Sequence, residues 1–361
     1  MSLIDKLTKN STIKLTAPIN ESKVFDKKTP VLTDVPMINV ALGGHVAGGL
    51  TAGTLMLAGP SKHFKTAFAL LMAAAFQRTY EDAVILFYDS EFGSPRSYFE
   101  SFGIDMTRVV HTPLINIEEL KFDIVQQLEG IERGEHVLIL IDSIGNLASK
   151  KEVEDAMNNK SVADMTRAKQ LKSLFRMVTP YLNLKNLPLI AVNHTYKEIG
   201  LFPKDIVSGG TGAYYSADAI WIIGRQQDKV QSSKELLGYK FIINIEKSRH
   251  VKEKSKIPIT VGFEGGMIKW SGLFDVAKEG GYINNPKQGW YEPVNPATGE
   301  VMSDKLLREG DINKSKEFWM NMFEKTDFTD YIKNKYTVAH GKILADDADE
   351  IDLDTLIEDD K

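Results

Sequence analysis

The chain has 361 residues, a formal net charge of −5, 43% hydrophobic and 26% charged residues, and no cysteine. This is the balance of a soluble globular protein large enough for more than one domain, and it excludes a disulfide scaffold or a thiolate metal site. No apolar run is long enough for a membrane span, and Met1-Ser2-Leu3-Ile4-Asp5-Lys6 lacks the apolar stretch of a signal peptide. The charge is uneven. Residues 346–361 carry nine acids and one lysine, a solvated tail, so the rest of the chain nets +3 and leaves room for a basic groove.

Residues 2–16 set Leu3, Ile4, Leu7, Ile13 and Leu15 among Lys and Thr, the pattern of a short amphipathic arm. Pro18, Pro30 and Pro36 mark residues 17–36 as a linker. From Met37 to Ala58 the chain is apolar and Gly-rich and predicts short strands and tight turns, ending in the buried strand Thr54-Leu55-Met56-Leu57-Ala58. A helix is expected from Ala67 to Phe76. Between strand and helix runs Gly59-Pro60-Ser61-Lys62-His63-Phe64-Lys65-Thr66.

Strand, Lys-Thr loop and helix together form the setting of a P-loop. Its backbone N–H groups and the helix N-terminus would hold phosphates. Lys65 would reach the β/γ-phosphates and the Thr66 hydroxyl would ligate Mg²⁺. Phe64 stands where such loops usually have glycine, so its dihedrals are expected to be unstrained and its ring turned away from the phosphates.

Downstream, Ala83-Val84-Ile85-Leu86-Phe87-Tyr88, the run His136 to Ile141 and Leu189-Ile190-Ala191-Val192 read as central parallel strands. They end in Asp89/Glu91, Asp142/Ser143 and Asn193/His194. In an open α/β sheet such ends face the ligand. Asp142 then reads as the acid that holds the Mg²⁺ water, Glu91 as the group that activates the attacking water, and Asp89 as a support for the loop. Asn193 and His194 could sense the γ-phosphate. Tyr98 could stack on adenine or pack in the core.

Helices are expected at residues 95–102, 118–132 and 161–178, with a mobile or solvated segment at 150–160. Thr195 to Tyr215 reads as a long glycine-containing loop and Gly224 to Gly238 as an exposed one, set among strands at 219–223, 239–245 and 257–263. For nucleic acid, Arg167, Lys169, Lys172 and Arg176 lie with the long helix. Lys197, Lys204 and the backbone N–H groups around Gly209 and Gly210 lie with the loop. The basic run Glu246 to Lys256 reads as a solvated turn, a DNA-facing patch, or cations reaching a nucleotide on the next subunit. Beyond Trp270, helices at 273–280, 314–323 and 328–336 and a small β element at Trp290-Tyr291 and Val301 suggest an α/β subdomain over 272–345.

These residues resemble the RecA-type recombinase family, and within it the UvsX-type strand-exchange proteins of T-even-like phages. The resemblance spans about residues 1–345. Its most specific stretches are Ala58-Gly59-Pro60-Ser61-Lys62, Leu86-Phe87-Tyr88-Asp89-Ser90-Glu91-Phe92-Gly93, Ile141-Asp142-Ser143-Ile144-Gly145-Asn146-Leu147 and Glu246-Lys247-Ser248-Arg249. The Phe64 substitution is itself a feature of the phage group.

The resemblance implies an α/β RecA-like ATPase core at 37–271, with an arm at 1–36 docking on the neighbouring protomer. It implies ATP and Mg²⁺ as cofactors, with Lys65 and Thr66 in the Walker-A roles, Asp142 in the Walker-B role and Glu91 as catalytic glutamate. It makes Tyr98 the adenine-stacking residue and puts His194 in place of a nucleotide-sensing glutamine. Lys247 and Arg249 would contact ATP across the subunit interface, and 151–166 and 195–212 would be DNA-binding loops. The expected partners are single-stranded DNA, homologous duplex DNA, further copies in a helical filament, a loader and a single-strand-binding protein, in the cytoplasm of an infected bacterium. The competing reading is a hexameric helicase of the same fold class, which would form rings rather than filaments.

Overall fold

A computed structural model describes residues 1–26, 28–158, 166–198, 205–229 and 235–338. The elements begin with α1 (Leu3–Asn10), α2 (Pro36–Gly43), β1 (Gly53–Ala58), α3 (Lys65–Thr79), β2 (Val84–Asp89), α4 (Arg96–Ser101), β3 (Val109–Pro113), α5 (Ile117–Gly130) and β4 (Val137–Asp142). Next come α6 (Lys150–Met157), α7 (Thr166–Lys185), β5 (Pro188–Asn193), β6 (Thr195–Lys197), β7 (Asp205–Val207), α8 (Gly210–Ser216), β8 (Ala219–Lys229), β9 (Leu236–Lys247), β10 (Lys256–Gly262) and β11 (Gly266–Met267). The chain continues through α9 (Leu273–Glu279), β12 (Ile283–Lys287), β13 (Trp290–Asn295), β14 (Glu300–Val301), α10 (Glu309–Ile312), α11 (Lys316–Lys325) and α12 (Phe328–Tyr336).

One nine-stranded sheet, ordered β11-β10-β9-β8-β1-β5-β4-β2-β3, organises the molecule. It is parallel from β8 to β3 and antiparallel from β8 to β11. Side chains alternate along each strand. Leu55, Leu57, Ile85, Phe87, Leu138, Leu140, Ile190 and Val192 therefore join one apolar cluster with α2 and α3. Their neighbours Met56, Leu86, Tyr88, Ile139, Ile141, Leu189 and Ala191 join a second cluster with α5 and α7. Both faces are covered, which is why these strands read as unbroken apolar runs. Trp270, Phe274, Trp319 and Phe328 belong to the first cluster, so the region after residue 270 packs on the same core. No described helix is long and apolar enough to cross a membrane.

Several expectations are corrected. Residues 37–42 form helix α2 rather than strands. Pro36 starts it, left-handed Gly44 ends it, and all six residues are buried, so apolar content alone could not separate helix from strand. Residues 150–157 form α6, started by a capping box between Ser149 and Glu152, and none of its residues is buried. The long loop after His194 contains the β6–β7 hairpin and α8, which Gly209 opens at φ +99°. β8 and β9 continue as a paired ribbon well past Gly224, into the stretch expected to be a loop. α7 runs through Pro180 to Lys185. The acidic tail, Lys204 and much of the first expected DNA loop lie outside the described residues.

Candidate nucleotide site

β1 is buried throughout and delivers Gly59, where a Cβ would lie 2.9 Å from the Ile223 carbonyl oxygen, so only glycine fits. Phe64 departs from expectation: it takes the left-handed conformation at φ 62° and ψ 17°. Its ring stacks on Phe241 at 4.9 Å between centroids and meets the edge of Phe68 at 5.7 Å. An aromatic pair contributes about 1 kcal/mol, comparable with the roughly 1–2 kcal/mol cost of that backbone. Lys62 is also left-handed at φ 62°. Its carbonyl accepts a hydrogen bond from Arg225, 3.2 Å away, and the Arg225 guanidinium rests over the Tyr239 ring.

Buried Lys65 starts α3 and donates to the carbonyls of Gly59 and Pro60 at 3.0 and 2.8 Å. Burial lowers its pKa, while Glu91 and Asp142 pull the other way. Thr66 Oγ1 donates to Asp142 Oδ2 at 2.7 Å. Asp142 Oδ1 is buried with no partner. Burial pushes the Asp142 carboxyl up to about 6, with the Thr66 hydrogen bond opposing and Glu91 and Asp89 adding to the rise. A buried carboxylate oxygen left bare beside a hydroxyl fits a hydrated Mg²⁺, which takes one or two protein oxygens and completes its shell with water and phosphate.

Asp89 braces the neighbouring strand end. Its Oδ1 accepts the N–H groups of Glu91 and Phe92 at 3.0 and 2.8 Å. Glu91 Oε1 in turn sits 2.8 Å from Ser143 Oγ, 3.0 Å from Asn146 Nδ2 and 2.9 Å from His194 Nε2. The His194 hydrogen bond holds the Glu91 carboxyl below its usual range; burial opposes this and Ser143 reinforces it. A cavity of about 520 Å³ is lined by the 61–66 loop, Glu91, Tyr98, Asp142 and His194, and by Arg225, Tyr239 and Phe263. Asn193 does not line it. Its amide donates to the Ser208 carbonyl at 2.8 Å and its oxygen accepts the His194 N–H, so it braces the following segment.

Lys247 and Arg249 lie elsewhere. Arg249 bonds Asp218 at 2.8 Å, and Asp218 accepts the Thr54 N–H. Thr54 is five residues before Gly59 along β1, roughly 16 Å of strand. Lys247 Nζ donates to the carbonyls of Tyr214 and Tyr215 at the end of α8. Neither cation lines its own chain's cavity.

Among the groups expected to meet DNA, Lys169 and Arg176 are exposed on α7. Lys197 pairs with Asp205 at 2.9 Å. Gly209 packs on Leu171, where a Cβ would lie 2.7 Å from Cδ1, and Gly210 approaches Ala168. Arg167 is half-buried, and its guanidinium donates to the carbonyls of Ile144, Gly145 and Leu147. Sequence reasoning missed Ser143 and Asn146 as partners of Glu91, although both lie in the polar run after Asp142. It missed Arg225 and Phe241 because only the unforeseen extension and register of β8 and β9 bring them to the loop.

A loop ahead of a helix, an acid two strands over and a restrained glutamate share one cavity at the carboxyl ends of the parallel strands of an α/β core. A family model of the RecA N-terminal domain matches residues 2–267. A second, described as the C-terminal domain of the bacteriophage T4 recombination and repair protein, matches residues 270–332. The chain belongs to the RecA-type recombinase family, in its phage UvsX-type branch. It is 50% identical to the recombination and repair protein of Enterobacteria phage T4, over 98% of this chain and 90% of that protein. It is 25% identical to the RecA protein of Cytophaga hutchinsonii over 75% of this chain and 76% of that one. The RecA protein of Petrotoga mobilis is 22% identical over 86% and 79%. ATPase activity comes with membership of this family.

Proposed function

We propose that this ATP-dependent recombinase of phage recombination and repair assembles as a helical filament on single-stranded DNA and exchanges strands with homologous duplex DNA. ATP and Mg²⁺ occupy the cavity beside the 61–66 loop. Lys65 would leave the carbonyls of Gly59 and Pro60 for the β/γ-phosphates, and Thr66 and Asp142 would hold Mg²⁺, which would supply positive charge to the phosphates. Glu91 orients the attacking water and accepts its proton. Tyr98 supports the adenine. His194 couples the occupied site to the segment 195–212, and Lys247 and Arg249 reach the nucleotide of an adjoining copy, as arginine fingers do. Exposed Lys169 and Arg176, with Lys197, Lys204 and the backbone at Gly209 and Gly210, hold DNA phosphates. The arm at 1–36 packs on a neighbour, 272–345 is a small subdomain, and a loader and a single-strand-binding protein are the accessory partners in the host cytoplasm.

The observation that carries this reading is the bare Asp142 Oδ1 beside Thr66, with Lys65 and Glu91 on the same cavity. The test is ATP hydrolysis with and without single-stranded DNA, paired with microscopy and a strand-exchange assay. DNA-stimulated turnover on continuous filaments is expected. Closed rings that unwind duplex without exchange would replace the reading by a helicase.

A further inference from the structure

We propose that Arg167 is a positioning residue for ATP hydrolysis, tying the loop that restrains Glu91 to the second DNA-facing segment, and not itself a DNA ligand. The inference rests on the DNA-dependent ATPase reading above.

Three carbonyls converge on one guanidinium: Leu147 on Nε at 2.7 Å, and Ile144 and Gly145 on Nη2 at 2.9 Å each. They belong to the same short loop whose Ser143 and Asn146 side chains donate to Glu91 Oε1. The remaining arm, Nη1, reaches Ser208 Oγ at 3.5 Å. Ser208 is bound into the His194 strand end, its N–H donating to the His194 carbonyl at 2.9 Å and its carbonyl accepting from Asn193 at 2.8 Å. His194 is the third group on Glu91 Oε1. Gly145 closes the circuit from below, because a Cβ there would lie 2.4 Å from the His194 ring.

Arg167 therefore touches both branches that meet at Glu91, one through the 143–147 loop and one through Ser208 and His194. It sits in the first turn of α7, while Lys169, Lys172 and Arg176 are exposed along the same helix and free of that circuit. A guanidinium presents its donors from three nitrogens in a fixed planar fork, so it spans the separated acceptors of the 143–147 loop and Ser208, whereas a lysine donates from a single nitrogen. To grip a phosphate with its fork, Arg167 would have to release carbonyls of the loop that restrains Glu91. Movement of the second segment on DNA binding is instead passed through the guanidinium to Ser143, Asn146 and His194, changing how tightly Glu91 is held.

The experiment compares wild type, Arg167→Lys and Ser208→Ala at saturating single-stranded DNA, each matched for thermal unfolding. In Arg167→Lys the stimulation of ATP turnover by DNA should fall about tenfold, while the KM for ATP and the salt dependence of DNA binding stay those of wild type. Ser208→Ala, which loses one hydroxyl and leaves the three carbonyls engaged, should lose part of the stimulation in the same manner, and it keeps the test open if the lysine variant does not fold. A salt slope shallower by about one in Arg167→Lys, with stimulation intact once DNA is saturating, would make Arg167 a phosphate ligand and overturn the inference. Full stimulation in both variants overturns it as well. A wild-type protein that DNA does not stimulate overturns the recombinase reading itself.

Discussion

The two ends of the nine-stranded sheet hold their charged groups in opposite ways. At the carboxyl ends of the parallel strands, Glu91 has three partners on one oxygen, Lys65 bonds two carbonyls and Asp142 is braced by Thr66. At the other end Arg249 has a single acid partner and a side chain 73% exposed, and Lys247 caps two helix carbonyls at the surface. The first end holds its groups in place through these bonds. The second presents an exposed guanidinium on one acid and a lysine on two helix carbonyls, and neither lines the cavity beside the 61–66 loop. The proposed function gives these cations the role of completing the site of an adjoining copy.

The largest effects should come from the preorganised end. Lys65→Ala should lower turnover by about 10³-fold or more, and Glu91→Gln by about 10²–10⁴-fold while nucleotide binding persists. Near-wild-type turnover in Glu91→Gln, read in a steady-state assay, removes Glu91 from its role. At the exposed end, Lys247→Ala and Arg249→Ala should each cost about 10²-fold in DNA-stimulated turnover and leave nucleotide affinity of the dispersed protein unchanged. A loss of that affinity would place these cations in their own chain's site and erase the contrast.

The acid at the centre of the site gives a stability test. Asp142 titrates near 6 in the fold against an ordinary 3.8. The folded state thus holds the proton more tightly, and stability contributed by the neutral acid is lost as pH rises from about 4 through 6. Asp142→Asn should therefore melt higher than wild type without nucleotide at pH 8, by on the order of 2–3 kcal/mol, with the gain vanishing near pH 4. A lower melting temperature at pH 8 would mean that the carboxylate is stabilised, not strained, by its burial. The smallest effect is expected at the loop. Phe64→Ala loses the Phe241 stack yet keeps the left-handed backbone, whereas Phe64→Gly loses the stack and relieves the backbone. The glycine variant should be about 1 kcal/mol more stable than the alanine variant in denaturant unfolding. Equal stabilities would contradict the strained geometry.

The contrast between the ends also explains what the sequence could and could not convey. Central strands were legible because both faces are buried and each ends in a polar residue, so Asp89, Asp142 and Asn193 fall where the pattern puts them. The conformation of Phe64 was not, because its support is Phe241, far away in sequence and brought close only by the pairing of β8 with β9. Helix α2 was hidden by burial on all sides, which removes periodicity. The carbonyl partners of Arg167 were not legible, because a basic residue in a helix carries no mark of whether carbonyls or solvent surround it. The partner of the Asn193 amide was hidden in the same way: the backbone of Ser208 follows a hairpin that glycines and polar residues disguised as a loop.

The central claim is that a working site is shared between copies, and mixing inactive variants tests it most directly. Glu91→Gln keeps the cations but lacks the base, and Arg249→Ala keeps the base but lacks one cation. Combined in equal amounts on single-stranded DNA, they should recover up to about a quarter of wild-type turnover at random assembly, because one in four junctions then pairs an intact pocket with an intact cation. Turnover that stays at the level of the separate variants, with filaments visible, would contradict the shared site.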